Sequence, residues 1–198
     1  MATVRERLAQ AAADQAAGRP AAAAAWCRDI LASDPSQADA WHLLGIARHA
    51  LGEPGAADDL RRAIALQPES AVIHHTLSRV LAAHGELAAA RAAYGEALRR
   101  APNDPDSACA LAEVCAAMQD WPAAIAAWRQ ALAGDAHCAR AHLGIGLAQE
   151  ASGAGEAAAM SYVAAIAADP RCADAHVNLG AWQHARGQRE RAAASYRA

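Results

Sequence analysis

One interval governs this chain: turn, small, bulky and proline residues recur every 34 residues, with one spacing of 33. Turn glycines stand at Gly18, Gly52, Gly85, Gly153 and Gly187, and Gln119 fills the place between the third and fourth. A small-residue series runs Ala23, Ala56, Ala90, Ala124, Ala158 and Ala192, and a bulky series follows one helical turn later at Cys27, Leu60, Tyr94, Trp128, Tyr162 and Tyr196. A closing series reads Pro35, Pro68, Pro102, Ala136 and Pro170. A fixed period of this length means a unit too small to bury its own apolar face, which is satisfied by stacking against neighbours.

Each copy reads as two helices. The first carries Leu44-Gly45, Leu77-Ser78, Leu111-Ala112, Ile145-Gly146 or Leu179-Gly180 and ends at the turn glycine. The second is expected to start beside a proline at Pro20, Pro54 and Pro122, where the missing N–H is harmless, and to stop at the closing proline. Alanine makes up about a third of the 198 residues and phenylalanine is absent. Alanine is the best helix former but buries little area, so closely packed helices fit this composition better than a core built on aromatics. Small residues such as Ala90 and Ala124 allow close approach, and Tyr94 or Trp128 fills the space beside them.

The pattern Trp41-x-x-Leu44-Gly45, followed by Gly52, Ala56 and Pro68, resembles the tetratricopeptide repeat. That resemblance implies an all-α fold, a right-handed α-α superhelix of stacked antiparallel helix pairs whose first helices line a concave face. The chain then divides as one array: a degenerate repeat over 4–37, repeats over 38–70, 71–104, 105–138 and 139–172, and a partial repeat over 173–198. Departures are Gln10 in place of leucine, Trp26 one place ahead of the bulky slot, a residue missing from the second repeat's turn, and Ala136 in place of proline. The first suits an end cap.

By the same resemblance, partner-binding residues lie on the inward positions of the first helices. In the second repeat these are Asp39, His42, Ile46 and His49; in the third Val72, His75 and Arg79; in the fourth Asp106, Cys109 and Glu113. The fifth contributes Arg140, Leu143, Leu147 and Glu150, and the last Asp174, Val177 and His184. The set mixes acids, bases and aliphatics without a dominant sign, which suits a peptide or partner protein. The family's clamp for a C-terminal carboxylate is missing, since His42/Ile46, His75/Arg79 and Cys109/Glu113 occupy its positions. Of an asparagine ladder like that of O-linked N-acetylglucosaminyltransferases only Asn178 is present, although "AHVNLG" resembles those repeats in style.

Other chemistry is disfavoured. His42, His75 and Cys109 share one repeat position and are zinc-binding types, but repeat spacing spreads their backbones too far for one ion. His74, His142 and His176 replace Trp41 and are expected as half-buried rings. "GAGEAA" at 153–158 matches a dinucleotide fingerprint but follows a helix, where that motif needs a strand. No nucleophile elbow or phosphate loop appears, so neither an enzyme nor a cofactor site is expected.

A net charge of −3 without basic runs argues against nucleic acid and anionic membrane. No long apolar segment or signal peptide appears, giving a cytoplasmic expectation. The five cysteines contain no CxxC pair and read as reduced; Cys138 and Cys172 recur in register, but stacked helices stand too far apart for a bridge. The sixth copy stops at Ala198 before its closing proline. That predicts either a longer protein, in which the array is the substrate-recruiting arm of a modifying enzyme such as a glycosyltransferase, or self-association through the exposed end.

Overall fold

The computed structural model describes residues 3–198. Among them stand twelve helices and no strand: α1 (Val4–Ala16), α2 (Pro20–Ser33), α3 (Ala38–Leu51), α4 (Ala56–Leu66), α5 (Ala71–Ala83), α6 (Leu87–Arg100), α7 (Pro105–Ala117), α8 (Trp121–Gly134), α9 (Ala139–Ala151), α10 (Gly155–Ala168), α11 (Ala173–Ala185) and α12 (Arg189–Ser195). Two compact units emerge, one ending at Ala101 and the other starting at Pro102. In the first, α1 packs on α2, α2 on α3, and so on to α6, and α3 also touches α1 and α5. In the second, α7 packs on α8, α8 on α9, and so on to α12, and α7 also touches α9.

Local chemistry sets the helix ends. Thr3 and Glu6 form a capping box on α1, the Thr3 hydroxyl accepting from Glu6 N at 3.2 Å and the Glu6 carboxylate from Thr3 N at 2.8 Å. Asp104 caps α7, accepting from Asp106 N and Ser107 N, and Asp120 caps α8 through Ala123 N. At the turns, Gly18, Gly52, Gly85, Gly153 and Gly187 hold φ between 68° and 78°, the left-handed region where a Cβ clashes. Gln119, in the same slot, is forced to φ 60°, the one non-glycine with positive φ among the described residues. Gly153 turns the chain out of α9 into α10, so "GAGEAA" is an interhelical turn.

The periodic series becomes the core. Ala23, Ala56, Ala90, Ala124, Ala158 and Ala192 are all at most 2% exposed. Cys27, Leu60, Tyr94, Trp128 and Tyr162 are buried beside them, while Tyr196 on the short α12 stays 51% exposed. Opposite these side chains the first helix must come close. A Cβ on Gly45 would lie 2.7 Å from Leu60 Cγ, and one on Gly180 would lie 2.7 Å from Tyr196 Cε1. Burying each large side chain contributes on the order of 1.5–3 kcal/mol, so the tight glycine contacts are the condition for the packing.

The departures have physical causes. Asp14 is 5% exposed, and its carboxylate accepts from Arg19 Nη2 at 2.6 Å, Gln10 Nε2 at 3.3 Å and Trp26 Nε1 at 3.1 Å. Gln10 therefore stands where leucine was expected, and Trp26 one place ahead of the bulky slot, because a buried carboxylate needs donors, and Cys27 takes the core slot. The Arg19 guanidinium holds the Asp14 carboxyl below its ordinary pKa, against the opposing push of burial. The residue missing from the second repeat's turn shortens α4, which begins only at Ala56 behind Gly55 at φ 90°. Pro54 consequently lies in the turn and does not open α4, contrary to the sequence expectation; Pro20 and Pro122 do sit in the first turns of α2 and α8.

Candidate functional site

The connections that fix the first helices share one hydrogen bond. Trp41 Nε1–H donates to Pro35 O at 2.8 Å, and His74, His142 and His176 place Nε2 at 3.0, 3.2 and 3.0 Å from the carbonyls of Pro68, Ala136 and Pro170. A carbonyl only accepts, so each of these histidines carries its proton on Nε2. The ring fastens its helix to the preceding loop, and histidine replaces tryptophan without losing the donor. Ala108 has no ring to offer, and there Gln130 Nε2 donates to Pro102 O at 3.0 Å.

On the first unit's first helices, His42 is half-buried and its Nε2 lies 2.9 Å from Thr76 Oγ1. The Thr76 hydroxyl donates its own proton to Val72 O at 2.9 Å, so His42 is the donor between them. Burial holds the His42 imidazole below its ordinary pKa, opposed by the charge of Asp39. His49 meets the His84 ring edge-on at 5.9 Å, and His75 meets Tyr94 at 5.5 Å. Asp39 and Arg79 are exposed, Ile46 is half-buried, and Val72 is 65% exposed.

In the second unit, Glu113 on α7 and Arg140 on α9 form a bidentate pair at 2.5 and 2.6 Å, each about half exposed. Hydrogen bonding to Glu113 raises the already high pKa of Arg140. Leu143 is half-buried against the cluster of Ala158, Ala159, Tyr162 and Leu179, whereas Leu147 and Val177 are 44% and 51% exposed. Glu150 accepts from the Tyr162 hydroxyl at 2.5 Å; burial and that carboxylate raise the phenol pKa. Asp106, Asp174 and His184 are exposed. Cys109 differs from the rest of the expected set: it is 1% exposed, with its Sγ 3.7 Å from Cys138 Sγ.

Thr76, His84 and Cys138 were not singled out by sequence reasoning as neighbours of the expected positions; they enter because a helix places them beside His42, His49 and Cys109. An open apolar depression of about 520 Å³ was also missed, lined by Ala159, Met160, Val163, Leu179 and Trp182 with Arg191 at its edge. Met160 and Val163 face outward at 75% and 54% exposure, which no periodic signal announces. Among the described residues, no group of three histidine, cysteine or carboxylate side chains is close enough to hold a metal ion, and no helix is long and apolar enough to cross a membrane.

Family models of the tetratricopeptide repeat match residues 71–114 and 109–163. The chain carries tetratricopeptide repeats. The tetratricopeptide helix pair accounts for the periodic glycine, alanine and aromatic positions, and solved structures share the fold. MamA is 23% identical with a TM-score of 0.76, covering 81% of this chain and 95% of its own. Pseudomonas aeruginosa PilF is 18% identical with a TM-score of 0.83, covering 97% of this chain and 88% of its own. YrrB, described as a TPR protein with an unusual peptide-binding site, is 18% identical with a TM-score of 0.69 over 85% of this chain and 88% of its own. Among curated proteins, none matches the sequence.

Proposed function

We propose that this tetratricopeptide repeat chain is a non-catalytic scaffold in the cytoplasm that binds a peptide or partner protein along the concave face formed by its first helices. The observation that carries the reading is the exposure of aliphatic side chains at inward repeat positions, Val72, Leu147 and Val177, beside the charges of Arg79, Glu113 and Arg140. Apolar contacts framed by polar ones are what a peptide groove needs. The peptide-binding site described for YrrB supports the same class of ligand.

Binding draws on two kinds of contact. The aliphatic residues supply apolar burial, and Arg79 supplies a planar guanidinium for a carboxylate or backbone carbonyl. His42 holds its ring by donating to Thr76, so it shapes the face more than it binds. Cys109 is buried and contributes through its neighbours. The test is selection of peptides from a random display library, followed by titration against Arg79→Glu and Leu147→Asp. Each variant should weaken a selected peptide at least tenfold, about 1.4 kcal/mol. Unchanged affinity in both would move the binding site elsewhere.

A further inference from the structure

We propose that Cys109 and Cys138 form an oxidisable dithiol, a modification site that closes into a reversible disulfide between α7 and the N-terminal end of α9. The two sulfurs stand 3.7 Å apart, so a bond of ordinary length needs them to approach by about 1.7 Å. Cys138 is the residue just ahead of α9 and its side chain caps no backbone group, so its movement breaks no cap. Its connection, Asp135 to Cys138, is also the one where Ala136 replaces the proline found at Pro35, Pro68, Pro102 and Pro170, leaving the backbone free of a fixed φ. Cys172 recurs in register with Cys138, but the residue corresponding to Cys109 one repeat later is Leu143, so the pairing is peculiar to this repeat junction.

Exposure orders the chemistry. Cys138 is half-buried and Cys109 is 1% exposed, so a reagent meets Cys138 first. Cys109, buried beside it, is the resolving sulfur; burial and the neighbouring Cys138 push the Cys109 thiol up to about 12, which slows the second step. With a low-molecular-weight disulfide such as oxidised glutathione as oxidant, the Cys138 thiolate attacks one glutathione sulfur. The glutathione S–S bond breaks and one glutathione leaves as the thiolate. Cys109 then attacks Cys138 Sγ, expelling the second glutathione, whose thiolate takes up the Cys109 proton. Two protein thiols are oxidised and one external disulfide is reduced to two thiols.

The bond would join the two helices already bridged by Glu113 and Arg140, fixing their separation. It stands independently of the peptide-binding reading, since neither step involves a bound peptide.

The experiment uses the full chain equilibrated with oxidised glutathione, alkylated, and digested with trypsin without reduction. Cys138 falls in the fragment 130–140, and Cys109 shares the fragment 101–129 with Cys115. The expected product links these two fragments within one molecule, with tandem fragmentation placing the bond on Cys109, while two of the five thiols become resistant to alkylation. Oxidation should raise the thermal midpoint by on the order of 5 °C or more, a shift absent in Cys138→Ser. Cys138 found only as a glutathione adduct, a bond to Cys115 or Cys172, an intermolecular link, or five freely alkylated thiols would each overturn the assignment.

Discussion

Replacing Trp128 by alanine should cost about 1–3 kcal/mol, less than the bare area suggests, because two effects oppose. Trp128 is 4% exposed, and truncation to alanine removes roughly 150 Å² of apolar burial, or about 4 kcal/mol at 25 cal/mol per Å². Its Nε1–H, however, is buried without a hydrogen-bond partner. An unpaired buried donor costs on the order of 1–3 kcal/mol, and that penalty disappears with the indole. Trp128→Phe, which sheds the donor but keeps a ring, should therefore fall within about 1 kcal/mol of the parent. Gly144 provides the counterpart, since a Cβ there would lie 2.7 Å from Trp128 Nε1 and closer still to the ring carbons. Gly144→Ala should destabilise the parent by about 1–3 kcal/mol through overpacking, yet stabilise Trp128→Ala by up to about 1 kcal/mol through helix propensity. Urea unfolding of the parent, both single variants and the double variant gives the coupling. Effects that add within about 0.5 kcal/mol would refute the packing of the indole against Gly144.

Gln119→Gly should raise stability by roughly 0.5–1 kcal/mol, because φ 60° strains any residue with a Cβ; a fall in the urea midpoint would contradict this. His176→Trp should be nearly neutral, as Trp41 makes the same bond to Pro35 O, while His176→Phe should cost about 0.5–1.5 kcal/mol; equal losses by thermal unfolding would remove the carbonyl bond from the account. Asp14 has a lowered folded pKa, so its contribution is complete above an unfolded value of about 3.9 and is lost as pH falls below it toward the folded value. Asp14→Asn should flatten the acid limb of the stability curve below about pH 4, and an unchanged slope there would show that Arg19, Gln10 and Trp26 do not hold the ionised carboxylate.

The helices were legible because their signals are local and repeated. Glycine at Gly85 or Gly153 follows from a backbone need for positive φ, and alanine at Ala90 or Ala124 follows from close approach, so each repeat announces the same structure. Gln119 was legible for the same reason: its slot was fixed by its neighbours in register. What stayed hidden depends on contacts without a period. The cluster of Gln10, Arg19 and Trp26 around Asp14 is a single event, and Gln10 and Trp26 looked like departures until the carboxylate they serve was seen. Pro54 misled because one missing residue delays α4 past it. The Cys109–Cys138 contact escaped because attention to register paired Cys138 with Cys172, whereas the sulfurs that meet belong to different repeat positions. The expected face residues follow from helix register, but their exposure does not, as Cys109 and Leu147 show.

The central claim is that partners bind through the first helices. Hydrogen exchange of the chain with and without a library-selected peptide, read residue by residue, tests it most directly. The account predicts added protection on α3, α5, α7, α9 and α11, with binding weakened by Arg79→Glu and Leu147→Asp. Protection confined to α10 and α12 around Met160, Val163 and Arg191, with those two variants binding as the parent does, would contradict it.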